Sequence, residues 1–467
     1  MQNFGITKLL YMVRKYRRYT PILLMLEDRH CDIMQKNVLI GLCAVVVVAV
    51  VVIAGLAVVL NNDKDDKLPD YQADTGTVYG NADGDCYIDS TDRKIIKKII
   101  DGDAELKDYP FADANNDGSV NEADLEIVDK YIAGESCTLK VLDAENKVIN
   151  VAYPISTVIV LCGSNLAPLI NILDISDKIV GAAYTGEKIN AIRDYPIKQG
   201  IDNGTITKIS TKGTSADLEL VKKLVTDKGC HFMMTEYSSM YDLDSDENVV
   251  NLNAMSIDVV RMEARDPGQD LRSMAVFGIL LGKSAQAESY QEFMKDVYSQ
   301  IDSAIGDKKG THKVLITSTS KNISGLSSGY TAMIEKAGGV NAADWQDSTK
   351  SLNKGDTWHL DPKYSVDMIF VGSTSDYAGS GFKDSDVTNI HSFFDNHNAM
   401  KNGKVYQYST GIPVVCRIAY YAQSMYPDSF EDGWAHGIHQ SFVDTFFKTK
   451  YTVDDSLYFV QVAAPTS

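Results

Sequence analysis

The chain has 467 residues, 44% of them hydrophobic, with 45 Lys plus Arg against 63 Asp plus Glu and a formal net charge of −18. That is enough apolar material for more than one core. Seven basic and three acidic residues precede residue 61, so 38 basic and 60 acidic residues leave the remainder at net −22, a field that repels phosphate backbones and argues against a nucleic-acid partner.

The first feature in chain order is 38–60, VLIGLCAVVVVAVVVIAGLAVVL, 23 residues without a charge. A helix of that length crosses a hydrocarbon core. Basic residues precede it, and Asn61-Asn-Asp-Lys-Asp-Asp follows. The positive-inside bias therefore predicts a single-pass anchor in the cell membrane, with 1–37 cytoplasmic and the binding domain extracellular. No small-residue cleavage site ends the run, which disfavours a cleaved signal peptide. Cys43 lies near its start, where a lipidated cysteine would follow it. Met34 offers an alternative start to the anchor. Of seven cysteines, five follow the apolar run, and none makes a CxxC or CxxH spacing. Cys86 and Cys137 bracket the next module, and pairing or separate buried thiols are both open.

After a linker at 61–76 comes a duplicated loop within 77–136. The second copy reads Asp113-Ala-Asn115-Asn-Asp117-Gly118-Ser-Val-Asn121-Glu-Ala-Asp124. Oxygen side chains at positions 1, 3, 5, 9 and 12 with Gly at 6 describe an EF-hand-type calcium loop, because Ca²⁺ takes six to eight hard oxygen ligands around a sharp turn. The first copy keeps Asn81, Asp83, Asp85, Asp89 and Asp92 but has Cys86 in place of the Gly. Each loop runs into a short amphipathic helix, the first closed by Gly102 and the second by Gly134. Two Ca²⁺ are expected. The paired loops, Asp at position 12 and the absence of a leading helix resemble a type I dockerin. That resemblance implies a cohesin partner, read by Ser90-Thr91 and Glu122-Ala123; a role in stiffening the stalk remains open beside it.

Beyond Leu139 buried strands alternate with helices. Thr157-Val-Ile-Val-Leu-Cys162, Lys178-Ile-Val-Gly-Ala-Ala-Tyr184 and His231-Phe-Met-Met-Thr235 read as strands of one half. A long break-free stretch over 269–306 reads as a helix. Lys313-Val-Leu-Ile-Thr317, Asp367-Met-Ile-Phe-Val-Gly372 and Val405-Tyr-Gln-Tyr408 read as strands of a second half. The fold class is α/β, two halves at 139–268 and 312–460 joined by one long helix.

Asp177-Lys-Ile-Val-Gly-Ala-Ala, Ala216-Asp-Leu-Glu-Leu-Val, Leu280-Leu-Gly-Lys-Ser-Ala-Gln-Ala-Glu, Ala337-Gly-Gly-Val-Asn341 and Asn402-Gly-Lys-Val-Tyr406 are similar, in that order, to the solute-binding proteins for ferric siderophores, haem and cobalamin. The resemblance implies two Rossmann-like lobes bridged by a long helix, capture of an iron chelate, haem or corrinoid in the cleft between them, delivery to an ABC permease, and no enzymatic activity. Loops at the cleft-facing strand ends nominate Ser164, Asn165, Tyr184, Glu236, Tyr237, Ser320, Tyr377 and Arg417 as ligand-binding residues. It also implies that Glu219 and Glu335 dock the permease. Three alternatives remain. His436-Gly-Ile-His439 suggests a zinc or manganese carrier. Gly325-Leu-Ser327-Ser-Gly329 matches the GxSxG elbow of hydrolases, although its strand stops well before the serine. A cohesin-docked surface protein is the third.

Overall fold

A computed structural model describes residues 68–72, 77–161, 167–183, 195–210, 216–236, 251–318, 322–325, 328–343, 350–351, 366–374, 382, 384–395 and 397–462. The expected single-pass membrane location is corrected here. Among the described residues no helix is long and apolar enough to cross a membrane, and 38–60 lies outside them, so the structure does not support an anchor. Pro69–Ser467 clusters as one compact unit.

The duplicated loops lead into α1 (Ser90–Ile100) and α2 (Glu122–Ala133). Both helices start with a capping box. Asp89 caps α1 with Asp92 at N3, and Asn121 caps α2 with Asp124 at N3, so the last loop carboxylate also satisfies an otherwise orphaned helix donor. Gly134 caps α2 in the left-handed region, whereas Asp101 caps α1 and Gly102 follows it with φ +81°. An antiparallel hairpin of β1 (Cys137–Leu142) and β2 (Val148–Tyr153) comes next. Cys86 and Cys137 are both free thiols, which settles that open pairing.

The first lobe is built on β3 (Val158–Leu161), α3 (Ala167–Ile172), β4 (Ile179–Ala183), α4 (Tyr195–Asp202), β5 (Thr207–Ser210), α5 (Leu218–Lys228), β6 (Phe232–Glu236) and β7 (Asp258–Met262). The strands form one parallel sheet in the order β5-β4-β3-β6-β7. The order reverses between β3 and β6, and in such open sheets the crevice outside the carboxyl ends at that point receives ligands. One face is sealed by Ile159, Met233, Val259, Ile209, Val221 and Leu224. Gly181 admits α5 closely, since a Cβ there would lie 2.5 Å from Leu224 Cδ1.

Where the sequence reads one helix over 269–306, the chain makes two, α6 (Pro267–Leu281) and α7 (Ser284–Ile305). Gly282, at φ +66°, ends α6 while Lys283 N donates to Gly278 O at 2.7 Å, a Schellman-type stop. Continuing apolar spacing across Leu280-Leu281 hides that single glycine. Twelve of the 15 residues of α6 are buried, and α7 packs on α3 of the first lobe.

The second lobe contains β8 (Lys313–Ser318), β9 (Asn322–Ile323), α8 (Gly329–Lys336), β10 (Val340–Asn341), β11 (Lys350–Ser351), β12 (Met368–Thr374), α9 (Asp384–Phe394), α10 (Asn398–Lys401), β13 (Val405–Ser409), α11 (Val414–Met425), α12 (Trp434–Phe446) and β14 (Phe459–Gln461). Parallel β8, β12 and β13 are flanked by antiparallel β9 and β14. Leu315, Ile369, Val371, Phe394 and Val405 make the core of one face. On the other, Phe370 stacks on Tyr421 of α11 with centroids 4.3 Å apart, and α11 packs on α7.

The bridge carries a buried acid. Asp270 on α6 is 2% exposed, and its Oδ2 accepts from the Tyr290 hydroxyl of α7 at 2.6 Å. Burial pushes its pKa up to about 7 against the opposing Tyr290 hydrogen bond. A carboxyl whose folded pKa lies above its unfolded value stabilises the fold at low pH and loses that contribution as pH rises towards 7, by up to about 4 kcal/mol. Asp270→Asn is therefore expected to flatten the fall in melting temperature between pH 5 and 8, and to match or exceed the wild type at pH 8. A pH series of thermal melts checks this.

Candidate functional site

The two loops repeat one geometry. Position 5 holds the amide of position 7 in each, with Asp85 Oδ1 accepting from Tyr87 N at 2.6 Å and Asp117 Oδ1 from Ser119 N at 2.9 Å. The position-12 carboxylate reaches back across each loop. Asp92 accepts from Ala82 N at 2.5 Å and Asp89 N at 2.7 Å, and Asp124 accepts from Asn115 N at 3.0 Å and Asn121 N at 2.8 Å. Position 1 braces each loop: Gly84 N donates to Asn81 Oδ1 at 3.0 Å and Gly118 N to Asp113 Oδ2 at 2.7 Å. At position 6 Gly118 adopts φ +93°. At position 4 Gly84 and Asn116 take the matching positive φ, +74° and +49°.

Burial makes these oxygens costly. Burial first, then the neighbouring Asp83 carboxylate, push Asp85 up to about 7. Asp83, Asp92 and Asp124 are likewise raised, with burial as the largest cause. Asn115 Oδ1 is buried without a hydrogen-bond partner. Among the described residues no group of three or more His, Cys, Asp or Glu side chains is gathered as a metal cluster. An oxygen-only donor set with one orphaned amide oxygen still fits a hard divalent cation that also draws on backbone carbonyls.

The second candidate region is the lobe junction. Glu236 closes β6 at 0% exposure, and its Oε1 accepts from Arg265 Nε at 3.2 Å. Arg265 follows β7, immediately before Asp266, which caps α6 through Gly268 N and Gln269 N. Its second carboxylate is Glu263 at 3.8 Å. Burial pulls the guanidinium's pKa down, but the two carboxylates outweigh it and leave it above the ordinary value. Across the junction, a Cβ on Gly329 of α8 would lie 2.9 Å from the Arg265 carbonyl carbon. That close approach accounts for the glycine, and Ser328 beside it caps α8 through Tyr330 N. β8 ends at Ser318 and the short β9 at Ile323, both before Ser327, which itself lies outside the described residues.

Arg417 on α11 is 1% exposed. Its Nη2 donates to Thr410 O and Ile412 O, both at 2.8 Å, so it ties down the turn after β13. The guanidinium lies 5.8 Å from the Tyr330 and Tyr408 ring centroids, and its buried Nε lacks a partner. Ser164, Asn165, Tyr184, Tyr237, Ser320 and Tyr377 lie outside the described residues. Glu219 and Glu335 are exposed on α5 and α8. The His436/His439 pair does not act together. His436 Nδ1 meets Asp455 at 3.0 Å, while buried His439 meets the Tyr420 hydroxyl at 3.1 Å and is pushed down to about 3 by burial.

Sequence reasoning missed Arg265 and Glu263. The available signal was Glu263-Ala-Arg265-Asp266-Pro267, charges crowded against a proline at a helix start, where exposed linker charges look the same.

Residues 79–133 match the family described as the Dockerin type I domain. No curated protein matches the sequence. The solved structures similar to the chain include the TroA-like periplasmic binding protein FepB of Veillonella parvula, at 18% identity and TM-score 0.51, covering 69% of this chain and 99% of that one. CeuE of Helicobacter pylori, in a nickel–histidine complex, has 17% identity and TM-score 0.51 over 67% and 97% of the two chains. The molybdate periplasmic binding protein MolA of Haemophilus influenzae, bound to molybdate, has 15% identity and TM-score 0.53 over 68% and 99%. The chain thus carries a dockerin type I domain at 79–133 joined to a body with the two-lobed fold of TroA-like periplasmic binding proteins.

Proposed function

We propose that the protein captures an anionic, metal-bearing solute between its lobes and delivers it to an ABC permease, without chemistry of its own. The observation that carries this reading is Arg265, held by Glu236 and Glu263 at the carboxyl edge of the first sheet where the second lobe closes on it. A guanidinium held in place by carboxylates presents its remaining donors in fixed geometry to an oxygen-rich ligand. Iron chelates, haem and corrinoids are the ligand classes in view, and molybdate joins them because the similar structure of MolA holds molybdate. Expected contacts from the strand-end loops are Ser164, Asn165, Tyr184, Tyr237, Ser320 and Tyr377.

In the dockerin domain, Asn81, Asp83, Asp85, Asp89 and Asp92 would hold one Ca²⁺, and Asp113, Asn115, Asp117, Asn121 and Asp124 a second. The cation would offset repulsion among buried carboxylates and order the loops. A cohesin is the partner class this domain suggests.

Three outcomes test the reading. Thermal melts of the chain against haem, ferric chelates, corrinoid, molybdate, Zn²⁺ and Mn²⁺ should show stabilisation by an anionic ligand, about 2.7 kcal/mol at a hundredfold excess over Kd. Arg265→Gln should weaken that ligand about 10- to 100-fold, the loss of a charged hydrogen bond, and Arg265→Lys less. Stabilisation by Zn²⁺ or Mn²⁺ alone would overturn the anionic assignment. Calorimetry should record two calcium sites. The first should tighten as pH rises from 6 to 8, because Asp85 must ionise to ligate and burial holds it near 7; a pH-independent first site contradicts this. Glu219→Gln should leave ligand affinity on the isolated protein unchanged and lower uptake through the permease, more so with Glu335→Gln, since a rim charge mainly steers its partner. Lost ligand affinity would put Glu219 in the pocket instead.

A further inference from the structure

The dockerin domain is attached to the body by more than its chain. Val78, just before the first loop, pairs with Val141 in an antiparallel bridge. Leu142 N donates to Thr77 O at 2.8 Å and Tyr79 N to Lys140 O at 2.9 Å. The segment entering the loop is thus tied to β1 by an isolated bridge and its two flanking backbone bonds. That hairpin is fastened to the first lobe. Arg261 of β7, 1% exposed, pairs with Asp143 at 3.3 Å and with Glu145, and Ala152 N donates to Asp258 Oδ2 at 2.9 Å.

The domain also reaches the bridge helices. From α2, the Tyr131 hydroxyl donates to Ile279 O of α6 at 2.9 Å, and its ring packs on Tyr153 with centroids 4.7 Å apart. From the first loop itself, the Tyr87 hydroxyl donates to Glu288 Oε2 of α7 at 2.7 Å. The Tyr87 amide is in turn held by Asp85, a loop carboxylate, at 2.6 Å. Loop shape and bridge position therefore share one backbone residue. The two loops differ accordingly. Cys86 in the first is 3% exposed, whereas a Cβ on Gly118 in the second would meet nothing within 4 Å.

We propose that Tyr87 and Glu288 make the first loop a joint with the bridge helices, so that calcium in that loop stabilises the ligand-binding body as well as the dockerin domain. This rests on the calcium reading above. A contact present only when the loop has its filled shape raises the stability of everything packed on α7, and by reciprocity the folded body tightens calcium at that loop.

The chain supplies its own reporter. Its three tryptophans, Trp345, Trp358 and Trp434, all follow α7 in sequence, and Trp434 Nε1 donates to Gln300 Oε1 of α7 at 2.9 Å. Tryptophan fluorescence thus reads the body and not the dockerin domain. Unfolding of the full chain is followed in saturating Ca²⁺ and in excess chelator, with calorimetry to count bound calcium. The tryptophan-detected midpoint should rise by several degrees with calcium. Tyr87→Phe and Glu288→Ala should each keep two calcium sites yet lose at least half of that rise, and the double variant should lose no more than either single one. An unchanged tryptophan midpoint alongside measured calcium binding would leave the calcium reading intact and overturn the joint. An absence of calcium binding would remove both.

Discussion

Burial of α6 is the constraint on which the remaining architecture depends. A helix with 12 of 15 residues buried has almost no solvent face, so it needs partners all round. The first lobe supplies one side through the turn from β7, the second lobe another through α8, and the dockerin domain a third through Tyr131 at Ile279. Polar groups within this shared core are costly unless paired. Asp270 meets Tyr290, the Ser273 hydroxyl lies within reach of two carbonyls, Glu263 O and Gln269 O, for its one donor, and Gln291 donates to Leu271 O. The Tyr290–Asp270 and Gln291–Leu271 bonds hold α6 and α7 together across the Gly282 break, while Ser273 ties α6 to the turn from β7. A braced connection of this kind suits the proposed capture role, for which a largely preformed pocket is expected.

The lobe junction extends the same logic towards function. Arg265 sits one residue before the cap of α6, so any shift of the bridge moves the guanidinium proposed to meet ligand. Its partner Glu236 is fully buried, and a buried carboxylate without its cation is expensive. The pair is therefore held in one arrangement, and specificity falls to the strand-end loops around it. Elsewhere on the bridge, the first dockerin loop contacts α7 through Tyr87 and Glu288. The proposed capture site and the proposed first calcium site thus both bear on the α6–α7 pair.

Features carried by local chemistry were legible in the sequence. The alternating oxygens of Asp113, Asn115 and Asp117 dictate a loop without reference to anything distant, and buried runs such as Phe232–Glu236 mark parallel strands in chain order. What stayed hidden is non-local or cancelled by context. Tyr87 and Glu288 are 201 positions apart, and nothing near either one announces the contact. Arg265 and Glu236 are separated by 29. Arg417 looks like a ligand-facing cation from its place after β13, but the carbonyls of Thr410 and Ile412 hold it at the turn. The two-helix bridge was masked because Gly282 interrupts hydrophobic spacing that continues on both sides.

Hydrogen exchange of the full chain tests most directly the claim that both lobes and the dockerin domain are built on one shared core. Amides of α6 should be among the slowest to exchange, opening only in global unfolding and at the same free energy as the central strands β3 and β12. Exchange of α6 well ahead of both sheets, or two lobes opening at separate free energies with α6 following only one of them, would contradict the account.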